Sequence, residues 1–249
     1  MTTQPLIDER RLSLSMPIGG GPRKIVEVPS RDIDSTLIFA KEQPPAGAAS
    51  YQAITDNLLH DSWWEPRRIF ITSAAPGDGK TCSAFNLAWA LTTRGKSVLL
   101  VELNFARPRF RRMLGDLRIR YGVDCAMRGS AKPADSVFSL NNGNLNVTAV
   151  RDTMSRGELK QHLPALASFL DWGSQQYDWL VLDCPTVLSS SWSEWFRSNA
   201  DPALLVVREE HTPLTQIRKA TRQLGSSLHG VVFNDAAEPP KEAGAAEAS

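Results

Sequence analysis

Short runs of consecutive apolar residues alternate with stretches of helical periodicity along the middle of the chain. Runs in which every neighbour is apolar suit strands that are buried on both faces of a parallel sheet. Six such strands are predicted, at 68–72, 97–102, 145–150, 179–183, 203–208 and 230–234. Because helical segments separate them, the pattern predicts an α/β fold with a mainly parallel central sheet and helices on both faces.

The helical segments are recognised by apolar residues that recur at three- and four-residue spacing. Six helices are predicted, at 50–60, 83–94, 107–114, 158–175, 191–199 and 213–224. The stretch 118–144 has no regular pattern, and Asn141-Asn142-Gly143 indicates a turn within it. A short strand is also compatible with the residues near 24–28.

The two ends of the chain differ in composition from its middle. Gly19-Gly20-Gly21-Pro22 and Pro44-Pro45-Ala46-Gly47 interrupt regular structure, and apolar residues between them are sparse. Residues 1–48 are therefore predicted to be a flexible N-terminal arm. The residues 235–249 are rich in Ala, Glu and Pro, which predicts a disordered tail. One domain at 49–234 remains between them.

Composition excludes several classes of protein. The 249 residues carry a net charge of +1, so bulk electrostatics indicates neither a nucleic-acid nor a membrane partner. No apolar run approaches the roughly 20 residues that span a bilayer, and the N-terminus shows no signal peptide. The three cysteines and four histidines lack the spacing of a disulfide framework or a zinc site. A cytoplasmic protein is expected.

The run Ser73-Ala74-Ala75-Pro76-Gly77-Asp78-Gly79-Lys80-Thr81 stands between the first predicted strand and the second predicted helix. Glycines let backbone N–H groups turn towards a phosphate, and a helix that starts beside them directs its positive dipole end at the same anion. Lys80 is expected to reach the β- and γ-phosphates, and the Thr81 hydroxyl to help hold Mg²⁺. Strand, glycine-rich turn, Gly-Lys-Thr and helix together predict a phosphate-binding loop.

One position departs from the general pattern, which has Gly where this chain has Ala74. The alternative is an ordinary glycine-rich turn between a strand and a helix. The phosphate-loop interpretation predicts ATP or ADP with Mg²⁺ as cofactors. The residues expected to contact the nucleotide from this segment are Pro76, Gly77, Asp78, Gly79, Lys80, Thr81 and Cys82.

Two acids end predicted strands at the carboxyl edge, where ligands bind in parallel sheets. Asp183 follows four apolar residues and is predicted to be the acid that holds Mg²⁺ together with Thr81. The alternative is an Asp that only caps a turn. Glu102 ends the strand after the phosphate-loop helix. It is a candidate outer-shell magnesium group or base, with a simple turn acid as the alternative. Lys80, Glu102 and Asp183 form the predicted catalytic set.

Several segments resemble the bacterial tyrosine kinases (BY-kinases) and, more broadly, the MinD/ParA class of deviant P-loop ATPases. The run 73–81 looks like their Walker A motif, and 177–185 looks like their Walker B motif. Residues 98–108 occupy the place of Walker A′, while 204–208 and 230–234 resemble the last two core strands. The resemblance spans about 49–234 and implies a P-loop NTPase domain there. It also implies that Asn234 lies near the adenine.

The departures from that family concern catalysis. Walker A′ reads Asp-x-Asp-x-Arg in the family, and the corresponding residues here are Glu102, Asn104 and Ala106. The family's helical oligomerisation motif falls on Ala49, Gln52 and Thr55, so its charges are missing and the ring is doubtful. No tyrosine follows Tyr177, so a C-terminal tyrosine cluster is absent from this sequence.

The resemblance therefore implies a degenerate BY-kinase-like protein in capsule or exopolysaccharide biosynthesis or export. It would bind nucleotide and act with a membrane co-polymerase (chain-length determinant) protein, reaching the membrane only through that partner. Tyrosine kinase activity would be weak or absent. One alternative is an active ATPase or autokinase that uses Glu102 as its base.

A MinD- or ParA-type positioning ATPase is another alternative. Those proteins carry a lysine early in the phosphate loop, where this chain has Ala75. The basic run 107–112 could suggest nucleic acid, but it lacks interleaved stacking aromatics. A solvated face or a docking surface for an acidic partner explains it better, and no nucleic-acid partner is predicted.

Overall fold

The computed structural model describes residues 25–26, 34–37, 47–60, 68–140, 145–189 and 202–235. Their strands are β1 (Ile25–Val26), β2 (Arg68–Ser73), β3 (Val98–Glu102), β4 (Phe138–Leu140), β5 (Leu145–Thr148), β6 (Trp179–Asp183), β7 (Ala203–Arg208) and β8 (Leu228–Asn234). Their α-helices are α1 (Gly47–His60), α2 (Lys80–Thr93), α3 (Phe110–Met113), α4 (Val123–Met127), α5 (Arg156–Gln176) and α6 (Leu214–Leu224). Short 3₁₀ helices lie at Pro133–Ser136 and Gly225–Ser227.

The strands form one sheet in the order β1-β4-β5-β3-β6-β2-β7-β8. Every neighbouring pair is parallel except β4 and β5, which run antiparallel. The central strands β2, β3 and β6 consist almost entirely of buried residues, as expected for parallel strands covered on both faces. The predicted α/β fold with a mainly parallel sheet is confirmed.

Two apolar clusters fill the space on the two faces of the sheet. One cluster contains the apolar residues of α4, α5 and α6, including Phe169 and Leu224. The other contains those of α1, α2 and α3, including Leu58 and Phe110. Alternate residues of each buried strand belong to opposite clusters; Leu180, for example, belongs to the first cluster. The sheet therefore separates two hydrophobic layers.

The helices begin and end close to the predicted positions, with local chemistry that explains the differences. The apolar periodicity marks α2 only from position 83, whereas the helix itself starts at Lys80, directly after Gly79 at φ 92°. Helix α5 starts after Ser155, whose hydroxyl accepts a hydrogen bond from Glu158 N at 3.2 Å. Such an N-cap satisfies one of the amides that a helix start leaves without a partner.

The segment 118–140 holds more regular structure than its sequence indicates. It contains α4, a 3₁₀ helix and β4, which pairs antiparallel with β5 and parallel with β1. Elements of three to five residues carry too little periodicity to be detected from sequence. The predicted helix 191–199, the predicted turn 141–143 and all of the predicted tail except Asp235 lie outside the described residues.

Parts of the predicted N-terminal arm belong to the folded domain. Val26 and its neighbour form β1 at the edge of the sheet, and Leu37 is fully buried beside α2. Asp34 N donates to Met113 O at 2.9 Å, and Asn86 Nδ2 donates to Thr36 O at 3.2 Å. The rest of the arm before Gly47 lies outside the described residues. Within the described part of the chain, no helix has the length and apolarity required to cross a bilayer.

Candidate nucleotide-binding site

The phosphate loop connects the central strand β2 to α2 at the carboxyl edge of the sheet. Gly77 and Gly79 have φ values of 91° and 92°, which residues with a Cβ adopt only with strain. A Cβ on Gly79 would also collide with the side-chain amide of Asn234, which would have to move away. Helix α2 begins immediately afterwards at Lys80. This is the backbone shape that presents N–H groups and a helix N-terminus to an anion.

Asp78 folds back into the protein from the tip of the loop and is 1% exposed. Its Oδ2 accepts a hydrogen bond from Ala75 N at 2.7 Å, and its Oδ1 accepts one from Thr212 Oγ1 at 2.6 Å. Its carbonyl oxygen accepts a further bond from Asn234 Nδ2 at 3.0 Å. Asp78 is therefore engaged in holding the conformation of the loop, and its predicted contact with a nucleotide remains a prediction.

Thr81 and Asp183 face each other across the base of the loop. The Thr81 hydroxyl donates to Asp183 Oδ2 at 3.0 Å, with Oδ1 at 3.3 Å, and both side chains are buried. Asp183 ends β6, which pairs with β2 on one side and β3 on the other. Beyond it, Cys184 N donates to Ile71 O at 2.9 Å, which fixes the chain after the strand. Parallel pairing thus brings the two predicted magnesium ligands together.

The environment of Asp183 opposes its ionisation. Burial raises the pKa of Asp183 to about 6, against the lowering effects of the Lys80 charge, the Thr81 hydrogen bond and the Arg109 charge. A buried carboxylate with cations nearby and one hydroxyl donor gains stability when a divalent ion arrives. Asp183 is therefore suited to hold a metal ion.

Glu102 ends β3, and its Cα is paired in register with that of Asp183. Its carboxylate, however, is bound by backbone amides. Oε1 accepts hydrogen bonds from Arg109 N and, at 2.9 Å, from Phe110 N, while Oε2 accepts one from Val150 N at 2.9 Å. One fully buried side chain thus joins the segment that starts α3 to the segment that follows β5.

Burial raises the pKa of Glu102 to about 7, and the three backbone hydrogen bonds act in the opposite direction. Such a pKa is suited to a base at neutral pH, but the geometry favours a structural anchor because both oxygens are already hydrogen-bonded. The catalytic role of Glu102 remains a prediction. Asn104, at the position of the family's second acid, is half-buried two residues further on.

The two other residues predicted to contact the nucleotide, Asn234 and Cys82, lie in different places. Asn234 lies against Gly79 and Asp78, so its side chain is at the phosphate loop. The Cys82 thiol contacts Thr36 Oγ1 at 3.1 Å on the side of α2 that faces the N-terminal arm. Burial raises the pKa of that thiol. The predicted nucleotide contacts of both residues remain predictions.

Two residues near the loop were not identified from the sequence. The loop between β7 and α6 brings His211 to Gly77, with Nε2 3.6 Å from the position of a Cβ there. It also brings Thr212 to Asp78. Neither residue belongs to a local motif, and the contact joins positions 134 residues apart in the sequence. The only sequence signal is their position just after a strand of the parallel sheet.

The residues present fit a magnesium nucleotide. The converging oxygens of Thr81 and Asp183 are the hard ligands that Mg²⁺ prefers, and phosphate and water normally complete its shell. No cluster of three or more His, Cys, Asp or Glu residues suited to a metal occurs among the described residues. The site thus fits an ion shared with a phosphate better than an ion held by protein alone.

A family model establishes the protein family to which this chain belongs. Residues 68–235 match the family model described as cellulose biosynthesis protein BcsQ. This chain belongs to the BcsQ family. The matched region begins at β2 and ends one residue after β8, so it covers the phosphate loop, both strand-end acids and Asn234.

Curated relatives of this BcsQ-family chain include bacterial tyrosine kinases. It is 26% identical over 209 residues to the tyrosine-protein kinase YwqD of Bacillus subtilis, which covers 80% of this chain and 85% of YwqD. It is 29% identical to the putative tyrosine-protein kinase EpsB of Ralstonia solanacearum over 67% of this chain and 22% of EpsB. It is 26% identical to the succinoglycan biosynthesis transport protein ExoP of Rhizobium meliloti over 72% of this chain and 23% of ExoP.

Solved structures show the same fold. The chimerical protein CapA2B2 matches with a TM-score of 0.72 and 23% identity, covering 81% of this chain and 91% of CapA2B2. The septum site-determining protein MinD of Pyrococcus horikoshii, complexed with Mg-ADP, matches with a TM-score of 0.54 and 23% identity, covering 67% and 68%. The resemblance to the BY-kinases, within the MinD-like P-loop class, is confirmed.

Proposed function

We propose that this BcsQ-family chain is a nucleotide-binding regulator of capsule or exopolysaccharide biosynthesis or export. In this proposal it binds ATP or ADP with Mg²⁺ and docks on a membrane co-polymerase according to the nucleotide bound. Its tyrosine kinase activity is weak or absent. The names of YwqD, EpsB and ExoP support the kinase-related and polysaccharide setting.

The observation that carries the proposal is the unequal state of the two strand-end acids. The Asp183 carboxylate accepts a hydrogen bond from the Thr81 hydroxyl, and the nearby Lys80 charge favours its ionised form. Glu102 gives its oxygens to three backbone amides. A site of this kind retains the groups that bind a magnesium nucleotide and lacks a second carboxylate that is free to activate a hydroxyl.

The test is calorimetric titration of ATP and ADP, with Mg²⁺ and with a chelator, into wild type, Lys80→Ala and Lys160→Ala. Lys160 is an exposed residue of α5, so its variant controls for the loss of one positive charge. We expect magnesium-dependent binding that is lost in Lys80→Ala and kept in Lys160→Ala. An absence of binding by wild type would contradict the proposal, as would binding that survives the loss of Lys80.

Kinase activity is tested in the same preparation with an antibody against phosphotyrosine after incubation with Mg-ATP. The proposal predicts little or no signal. Strong autophosphorylation that Lys80→Ala abolishes would show an active kinase.

One observation favours a second candidate, an active ATPase or autokinase in which Glu102 is the base. Its pKa of about 7 places it in the range where a carboxylate accepts a proton at neutral pH. In that case the substrate tyrosine would come from another protein or from Tyr51, Tyr121 or Tyr177, which are the chain's three tyrosines. Glu102→Gln would then stop turnover.

A further inference from the structure

We propose that Thr212 is a positioning residue of the nucleotide site, because its hydroxyl locks the loop between β7 and α6 (residues 209–213, the lock loop) onto the phosphate loop. This inference rests on the proposed nucleotide binding and adds to it a residue outside the Walker motifs. The bond that carries it joins Thr212 Oγ1 to Asp78 Oδ1 at 2.6 Å.

Asp78 is the phosphate-loop side of this lock. Its carboxylate is 1% exposed, and its two oxygens accept hydrogen bonds from two different segments, Ala75 N within the loop and the Thr212 hydroxyl outside it. A buried carboxylate that loses one of its donors is costly, since water cannot replace the missing partner. The conformation of Asp78, and with it the turn between Gly77 and Gly79, therefore depends on Thr212.

The Thr212 hydroxyl is itself held in place from the sheet. While it donates to Asp78, it accepts a hydrogen bond from Arg208 N at 3.1 Å, at the end of β7. The Arg208 guanidinium pairs with Asp235 at 2.7 Å, so the ends of β7 and β8 are also joined. The Thr212 hydroxyl thus connects the end of β7 to the tip of the phosphate loop through two hydrogen bonds.

The lock loop makes a second contact with the phosphate loop. His211, next to Thr212, brings its Nε2 to 3.6 Å from the place where a Cβ on Gly77 would lie. Asn234 completes the arrangement by donating to the Asp78 carbonyl oxygen. Because the turn is held from both β7 and β8, its amides are arranged before the ligand arrives, and less binding free energy is lost in ordering them.

The experiment compares ADP affinity with Mg²⁺ in wild type, Thr212→Val, Thr212→Ser and Thr215→Val. Valine keeps the branched shape and removes the hydroxyl, while serine keeps the hydroxyl. Thr215 is an exposed threonine in the first turn of α6 and serves as the matched control. We expect Thr212→Val to weaken ADP binding roughly tenfold, as fits the loss of one hydrogen bond to a charged group. Thr212→Ser and Thr215→Val should stay within about twofold of wild type, since both keep that bond.

The outcomes separate this inference from the proposed function. If wild type binds ADP and Thr212→Val binds it equally well, the lock is wrong and nucleotide binding stands. If Thr212→Ser is as weak as Thr212→Val, the hydroxyl is not the cause and the lock is equally wrong. If wild type binds no nucleotide, the proposed function fails and this inference fails with it.

A measurement on wild type alone covers the case in which Thr212→Val does not fold. Amide hydrogen exchange is followed with and without Mg-ADP. A locked pair of loops predicts that ADP slows exchange in both the phosphate loop and residues 209–213. Slower exchange confined to the phosphate loop would overturn the inference.

Discussion

The ends of β6 and β3 make the most instructive comparison in this molecule. Asp183 and Glu102 are paired in register on neighbouring strands, both are fully buried, and burial raises the pKa of both. They differ in their partners. Asp183 accepts a hydrogen bond from the Thr81 hydroxyl and lies near the positive charge of Lys80. Glu102 instead accepts hydrogen bonds from three backbone amides.

This difference teaches that position at a strand end does not assign a role to an acid. A hydroxyl and a lysine can turn towards an incoming ion or phosphate, so the Asp183 carboxylate remains available. Backbone amides of Arg109, Phe110 and Val150 are fixed by the fold, so the Glu102 carboxylate serves them instead. The comparison predicts opposite results for matching substitutions at the two positions.

The largest expected difference is in the effect of magnesium on nucleotide affinity. Asp183→Asn should remove most of the gain that Mg²⁺ gives to ADP binding, about tenfold or more, because a neutral amide is a poor ligand for Mg²⁺. Glu102→Gln should keep that gain. Calorimetric titration of ADP with Mg²⁺ and with chelator measures both. Loss of the magnesium effect in Glu102→Gln would break the comparison.

Thermal stability should change in opposite directions. Glu102→Gln leaves at least one buried amide without an acceptor, which costs about 1–3 kcal/mol. In a domain of this size that lowers Tm by roughly 2–10 °C. Asp183→Asn removes an unfavourable buried charge and keeps an oxygen for Thr81, so Tm should stay or rise. Thermal unfolding of the nucleotide-free proteins, with the exposed Glu210→Gln as control, measures the difference. A lower Tm for Asp183→Asn than for Glu102→Gln would contradict the account.

A smaller effect is expected from pH. Burial raises the pKa of Glu102 to about 7 in the folded protein, from the ordinary 4.5 of a solvated glutamate, so the folded state holds an extra proton between those two values. Stability therefore falls as pH rises through this window. Asp183, with a pKa of about 6, acts in the same direction. We expect Tm of wild type to fall by a few degrees between pH 5 and about 8, and Glu102→Gln to flatten the upper part of that curve. A rise in the wild-type Tm between pH 5 and about 8 would contradict the expectation that ionisation of these two acids destabilises the folded state.

The smallest effect concerns Asn104, which lies two residues beyond Glu102. Asn104→Asp restores an acid at the position where the BY-kinases carry one. We expect a modest gain in the magnesium dependence of ADP binding, about two- to fivefold, since one added carboxylate acts at a partly exposed position. Titrations identical to those for Asp183→Asn measure it. A weaker magnesium effect in Asn104→Asp would show that the β3 end does not face the ion.

The central part of the fold could be predicted from the sequence because its signals are local. Continuous apolar runs predicted β2, β3 and β6, and the glycines of the phosphate loop predicted its turn. Parallel strands then place Thr81 beside Asp183, since the carboxyl ends of neighbours meet at one edge. The short elements α4 and β4 escaped prediction because they contain too few residues to show a period.

The chemistry of the candidate site depends on long-range contacts that sequence does not reveal. Glu102 and Asp183 look alike as strand-end acids, and only the folded structure shows that Val150 and the start of α3 occupy the Glu102 oxygens. Thr212 donates a hydrogen bond to Asp78 although the two residues are 134 positions apart in the sequence. Thr212 belongs to no sequence motif, so its hydrogen bond to the phosphate loop can be recognised only from interatomic distances in the folded structure.

The most direct test of the central claim is ATP turnover by wild type and Glu102→Gln at saturating Mg-ATP and neutral pH, with bound ATP measured in the same samples. Turnover is expected to be slow or absent in wild type and equal in Glu102→Gln for each bound ATP, because the proposal makes the Glu102 carboxylate an anchor of two backbone segments and not a base. Rapid turnover in wild type that falls about a hundredfold in Glu102→Gln with ATP binding unchanged would contradict the account and make Glu102 the catalytic base.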